Sequence, residues 1–431
     1  MNEGRRTDRF SAFVRRSAAA GRLVVQPRMG FGELDRMRAG LAAVREARAT
    51  TAGTVTLDSY TRCHDFAAAR RTLRERPRDL NGFPLLAHGS IAVRALLGET
   101  ASPDFPVQVR HGTARPLRIF RFLAEAGVDA TEGGPVSYCL PYSRTPLAEA
   151  VREWGTAVEL LAAQPVPMHL ETFGGCMLGQ LCPPSLLVAL SVLEGMFFRE
   201  HGLTGISLSY AQQVHQGQDL EALAALRRLA AERLAGTDRH IVLYTYMGVF
   251  PRTPIGSYRL LESSVRLAVH GGAQRLVVKT PAEAHRIPTI EENVAALEFS
   301  HTVAEAAADA PDGVRPTETG LYEEARTLVD AALELGDTVG SSLVAAFAQG
   351  RLDLPYCLHP DNANRSRGTI DRHAMLSWSR AGAMPVRTAD AGDPAWPAAE
   401  VDARSLTRML SHNERRFDRE ERTGSLLAGA S

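Results

Sequence analysis

Three arginines fall in polar turns flanked by Gly or Tyr: QPRMGFG carries Arg28, DSYTRCHD carries Arg62 and VRHGT carries Arg110. A guanidinium presents a planar fork that meets a carboxylate in two parallel hydrogen bonds. Three of them at one mouth suit a ligand with two carboxylates. The stretch ATEGGPVSYCLPYSR adds Glu132, Tyr138 and Tyr142. One carboxylate among three guanidiniums would hold an ammonium, and the phenols would complete the hydrogen bonding. Charge balance therefore sketches an amino dicarboxylic acid. On these residues alone the plainer reading stays open, in which Glu132 neutralises the arginines and the tyrosines pack.

A fourth cation is singled out by rarity. Lys279, in RLVVKTPAEAHRIP, is the only lysine among 49 Lys and Arg residues. A compact ammonium reaches places where a broad guanidinium collides, so the two are not interchangeable. A lysine ending a strand can also serve as a Schiff-base nucleophile, which leaves a cofactor-free lyase or aldolase as an alternative. Glu283, four residues on, argues mildly against the depressed pKa that such a nucleophile needs. The blandest reading is a stray lysine that drift has not replaced.

The elements that must position these groups alternate. Short β-like runs are predicted at 22–28, 53–60, 83–89, 105–112, 128–135, 167–173, 205–211, 240–248 and 275–280, with amphipathic helical patterns between them. Alternation of this kind implies parallel βαβ units. Nine runs in about 260 residues predict an α/β fold, a (β/α)8 TIM-type barrel with one surplus element. A doubly wound sheet loses ground because no GxGxxG follows any strand. Arg28, Asp58, Tyr60, His88, Arg110, His111, Glu132, Glu171, Tyr246 and Lys279 all fall at or just past a predicted strand end. In a barrel those ends share one face, where active sites are built. The division expected is an N-terminal extension at 1–21, a catalytic barrel at 22–310, and a C-terminal helical and irregular extension at 311–431. That last part would pack on the barrel and finish in a polar surface tail.

Bulk properties narrow the function classes. Net charge is zero, so no nucleic-acid or membrane partner is expected from electrostatics. The apolar run PPSLLVALSVLEGMFF (183–198) is too short and polar to span a membrane and reads as a buried helix. No apolar signal core follows the first residues, and the five cysteines form no CxxC pair, so a cytoplasmic protein with free thiols and no metal site is expected.

The runs VQPRMGFGELDRMRAGL, GTVTLDSYTR, DLNGFPL, FPVQVRHGT, DATEGGPVSYCLPYSR, LETFGGCMLGQLCPPSLL, SLSYAQQ, LYTYMGVFPRTP, VVKTPAEAHRIPT and YCLHPDNANRSRGTIDRH closely resemble the large subunit of glutamate (methylaspartate) mutase, the E or epsilon chain. The resemblance covers most of residues 22–300 and extends towards the C-terminus. It implies a (β/α)8 barrel and a reversible, adenosylcobalamin-dependent radical rearrangement of L-glutamate to L-threo-3-methylaspartate. By matching motifs, Arg28, Arg62, Arg110 and His111 would take the substrate-carboxylate positions. Glu132, Tyr138 and Tyr142 would surround the amino group and the remaining carboxylate oxygens. Gly30, Asn81, Pro141, Phe250, Lys279, Glu283 and Ile287 would meet the cofactor, with Lys279 and Glu283 at its adenosyl ribose. Cobalamin-binding modules of this class carry DxHxxG. The nearest strings here, DRHIVL at Asp238 and DRHAML at Asp371, lack the glycine. The resemblance therefore implies a separate small cobalamin-binding subunit that supplies the cobalt-ligating His, in a heterotetramer of two large and two small chains. Relative to the family the N-terminus looks short, which bears on the start of the barrel and on the subunit contact.

Overall fold

The computed structural model describes residues 8–177, 181–309, 314–388 and 401–419. Parts of the expected N-terminal extension, C-terminal extension and tail lie outside them. Eight parallel strands run in chain order: β1 (Val24–Pro27), β2 (Gly53–Thr56), β3 (Val107–Arg110), β4 (Ala130–Glu132), β5 (His169–Glu171), β6 (Gly205–Ala211), β7 (Asp238–Tyr244) and β8 (Arg275–Val278). From β2 to β8 each strand pairs with the next, and β8 pairs with β1. Between β1 and β2 the backbone bonds Val25 N to Thr50 O (2.9 Å) and Ala52 N to Val25 O (3.3 Å) bring the ring to closure. Helices lie outside the strands, and the fold is a (β/α)8 barrel.

The surplus run is 83–89. Only Phe83 bridges, to Leu57, and Leu85–His88 makes one helical turn that leads into the helix Ser90–Thr100. A short apolar run carries no usable period, and here the helix won. Elsewhere, apart from β6, the strands end before the runs do, so Arg28, His111 and Lys279 sit one residue past a strand end. Arg62 lies in a helical turn, Ser59–Arg62, capped by Asp58, whose side chain accepts from Thr61 N (3.0 Å).

The barrel interior is not wholly apolar. Gln26 Nε2 donates to Thr54 Oγ1 and to Gln108 Oε1, each at 2.7 Å, and Gln108 Nε2 donates to Glu171 Oε2 at 3.1 Å. Arg275, at the start of β8, reaches inward to pair with Glu171, and both side chains are fully buried. Glu171 was expected to face the cavity at the mouth. It lies instead within the barrel, because Arg275 supplies the charge that makes its burial tolerable.

The helix Arg9–Ala19 closes the floor. Phe10 stacks on His169 with ring centroids 5.1 Å apart, Arg275 lies over the same ring, and Ser11 Oγ is 2.9 Å from His169 Nδ1. At the other end, residues 402–418 are held on the barrel. Asn413 Nδ2 donates to Gln213 O (3.0 Å), Asp418 accepts from Thr253 Oγ1 (2.8 Å), and Phe417 is buried against Tyr246 and Phe250. Tyr246 is thereby taken up by packing. Helix Leu321–Leu333 packs on helix Pro184–Glu200, the buried apolar run of the sequence.

Candidate active site

A cavity of about 200 Å3 opens at the C-terminal ends of the strands, lined by Arg28, Arg62, Arg110, Glu132, Tyr138 and Tyr142, with Thr56, Gly112, Phe173 and Met247 completing its wall. All three arginines and the carboxylate expected from sequence thus meet in one place. Register puts them there: Thr56 of β2 pairs with Arg110 of β3, and Glu132 of β4 pairs with Glu171 of β5. Arg62 is fixed by its Nε bond to Leu57 O at 2.7 Å.

Glu132 is the buried anchor. Its Oε2 accepts from Arg110 Nε (2.7 Å) and from Tyr244 Oη (2.7 Å), and its Oε1 accepts from Tyr138 Oη. Burial pushes this carboxyl up, but the Arg110 charge and the hydrogen bonds outweigh it and hold Glu132 below the usual carboxylate range. Both charges of the pair are about 5% exposed or less. Burial pushes the Arg62 guanidinium down, and the nearby Arg110 and Arg28 charges add to that. Mutual repulsion of this kind is relieved by an incoming anion.

Several buried polar atoms around the cavity have no partner among the described residues: Arg28 Nε, Thr56 Oγ1, Arg110 Nη1 and Glu283 Oε1. Such atoms are costly unless a ligand or water meets them. His111 is different. It lies behind the cavity wall, edge-on to Phe120 and Tyr138, and burial lowers its imidazole to about 4, so it is neutral. Tyr142 stands at the rim, 60% exposed.

The second group assembles around Lys279. Its Nζ is 3.8 Å from Glu283 Oε2, which also accepts from Arg28 Nη1 at 2.9 Å, so the two groups of residues share a carboxylate. Burial lowers the Lys279 ammonium to about 8 despite Glu283. Phe250 is buried, its ring centroid 5.0 Å from Nζ, so it supports Lys279 from below. At Gly30 a Cβ would fall 2.3 Å from Thr56 O, which demands glycine where the β1 and β2 loops touch. Asn81 and Ile287 are exposed, Asn81 Oδ1 accepting from Ser59 N at 2.9 Å. Pro141 borders a neighbouring cleft of about 410 Å3 with Tyr356, Cys357 and His359. Within the described residues no three His, Cys, Asp or Glu side chains are placed to hold a metal, and no helix is long and apolar enough to cross a membrane.

Two contributors escaped the sequence reading. Tyr244 points inward two residues before Tyr246; the alternation that turns His240 inward also turns Tyr244 inward, and that was the available signal. Glu194, on helix Pro184–Glu200, accepts from Ser137 N (2.9 Å) with Oε1 and from Phe173 N (3.1 Å) and Gly174 N (2.8 Å) with Oε2. It ties together the two loops that carry Tyr138 and Phe173, and burial raises its carboxyl to about 7. A lone Glu in an apolar run was its only trace.

Fold and site together define a (β/α)8 barrel with a cationic, carboxylate-anchored cavity at its C-terminal mouth. Residues 6–407 match the family model described as methylaspartate mutase E chain, and the chain belongs to that family. It is 31% identical over 378 residues to a glutamate mutase epsilon subunit of Desulfitobacterium hafniense, covering 84% of this chain and 77% of that one. To the epsilon subunit of Halobacterium salinarum it is 31% identical over 361 residues, covering 81% and 74%. To that of Escherichia coli O157:H7 it is 28% identical over 396 residues, covering 88% and 81%. The chain is accordingly a mutase subunit, of the isomerase class.

Proposed function

We propose that the chain is the catalytic large subunit of a radical carbon-skeleton isomerase that interconverts L-glutamate and L-threo-3-methylaspartate, acting in the cytoplasm with adenosylcobalamin and a separate small cobalamin-binding subunit, two of each chain per assembly. The observation that carries this reading is the meeting of Arg28, Arg62 and Arg110 with Glu132 around one small cavity. Counting Lys279, four cations face two carboxylates, Glu132 and Glu283, and a bound amino dicarboxylate, with one net negative charge, halves that excess of positive charge. Arg110 Nη1 and Arg28 Nε are the donors left for it, and Glu132 is the acceptor for its ammonium.

Adenosylcobalamin, when bound, supplies the radical that removes and returns a substrate hydrogen. The family relationship and the donor set at the rim support this cofactor. Lys279 Nζ and Glu283 Oε1, which has no partner among the described residues, offer a cation and an acceptor side by side, which suits the adjacent hydroxyls of a ribose. Gly30, Asn81, Pro141 and Ile287 lie on the same face, and Phe250 acts through Lys279. In the rearrangement a glycyl group moves between neighbouring carbons of an acrylate unit. Both pieces carry a carboxylate, so guanidiniums that hold each one keep them from separating. Phe173 and Met247 line the same space with apolar surface and limit water. His111 supports the wall from behind; no ionised imidazole is required.

The test is to mix the chain with a cobalamin-binding small subunit, adenosylcobalamin and L-glutamate and follow 3-methylaspartate by proton NMR. Product that needs both proteins and the cofactor is expected. A complex that forms, binds cofactor and yields no product would refute the assignment.

A further inference from the structure

Two buried ion pairs, Arg110–Glu132 and Arg275–Glu171, meet at one phenol. Tyr244 ends β7, and its hydroxyl bonds both Glu132 Oε2, at 2.7 Å, and Glu171 Oε1. A phenol has a single hydrogen. Two carboxylates therefore share one donor. Each has other partners: Glu132 has Arg110 and Tyr138, while Glu171 has Arg275, Gln108 Nε2 at 3.1 Å and Ser207 Oγ at 3.2 Å. The Arg110 guanidinium also lies 5.2 Å from the Tyr244 ring centroid. Arg62 on the cavity side and His111 behind the wall feel the Glu132 charge, Arg28 and Tyr142 flank the opening, and Cys176 approaches from the loop after β5. Behind Glu171, His169 and His240 are kept neutral by burial.

We propose that Tyr244 is a positioning residue for the amino-group end of the substrate: its hydroxyl hydrogen bonds Glu132 while the site is free and turns to Glu171 when a substrate ammonium takes that oxygen. The inference rests on the amino-dicarboxylate reading above. Only an O–H rotates, and no proton changes owner. Glu132 thus stays ionised in both states without water, and Glu171 accepts the hydrogen that the ammonium displaces. Without the hydroxyl, two like charges face each other across the phenyl edge, and the one nearer the cavity takes up a proton more readily.

Tyr244→Phe in the assembled enzyme tests this, with KM for L-glutamate and the inhibition constant of glutarate measured between about pH 4 and 7, because Glu132 is held below the usual carboxylate range. Glutarate keeps both carboxylates and lacks the ammonium. In the variant, the pH below which KM for L-glutamate climbs moves up by about one unit, a tenfold change at the acid end, and glutarate binding stays as in wild type. An unmoved acid limb, or an equal loss for both ligands, overturns the proposal. Should the variant fail to assemble, Glu171→Gln reads the same idea in the opposite sense. The hydrogen is then left to Glu132 and the limb moves down; a limb that rises overturns the proposal. Wild-type enzyme that turns over no L-glutamate overturns the underlying reading, and this inference with it.

Discussion

Arg110 is asked to do two things at once, and two substitutions separate them. Its Nε holds Glu132 at 2.7 Å, and its Nη1 is buried with no partner among the described residues, beside the cavity. Arg110→Lys keeps the charge on Glu132 but gives up the fork that spans Glu132 and a substrate carboxylate together. One charge-assisted hydrogen bond in a buried site is worth about 1.5–3 kcal/mol, which predicts a fall in kcat/KM of about 10–100-fold. Folding stability should change little, because a cation remains beside Glu132. Arg110→Met removes that cation and leaves a buried carboxylate unpaired, at a cost of about 3–5 kcal/mol. Proton NMR of product formation gives the first quantity, and urea unfolding of the isolated chain gives the second. A Lys variant with wild-type kcat/KM, or a Met variant as stable as wild type, would refute the division of labour.

Lys279 makes a pH-dependent contribution whose sign is fixed. Its ammonium is disfavoured in the folded chain, at about 8 against an ordinary 10.5, so its penalty is fully present below pH 8 and fades as pH rises towards 10.5. Lys279→Met should therefore gain on wild type by about 2 kcal/mol more at pH 7 than at pH 9.5, read from urea unfolding at the two pH values; an equal difference at both would contradict the burial argument. Phe10→Ala, at the barrel floor, should cost about 3–5 kcal/mol, because Phe10 is fully buried against His169 and Arg275. A negligible loss would mean that the N-terminal helix is peripheral.

What the sequence revealed follows the physics of each signal. Run 205–211 is β6 to the residue, because seven alternating positions leave little choice. Arg28, Arg110, Glu132 and Lys279 were readable because barrel topology sends all strand ends to one face, whatever the details of packing. The polar interior was not readable. Gln26, Gln108, Glu171 and Arg275 sit in strands that look apolar overall, and which of their side chains point inward depends on register. The same gap hid Tyr244 and misplaced Glu171. The packing of His111 on Phe120 and of Phe250 on Lys279 was no more readable, because it too depends on which way each side chain turns. The docking of residues 402–418 rests on Asn413, Phe417 and Asp418, too sparse a pattern among many charges to announce a buried face.

The most direct measurement uses L-glutamate carrying carbon-13 at C3, turned over by the assembled enzyme and followed by carbon NMR. If a glycyl group migrates from C3 to C4, the labelled carbon becomes the methyl carbon of 3-methylaspartate, and an enriched methyl resonance must appear. No methyl signal, or label at any other carbon of the product, would contradict the account.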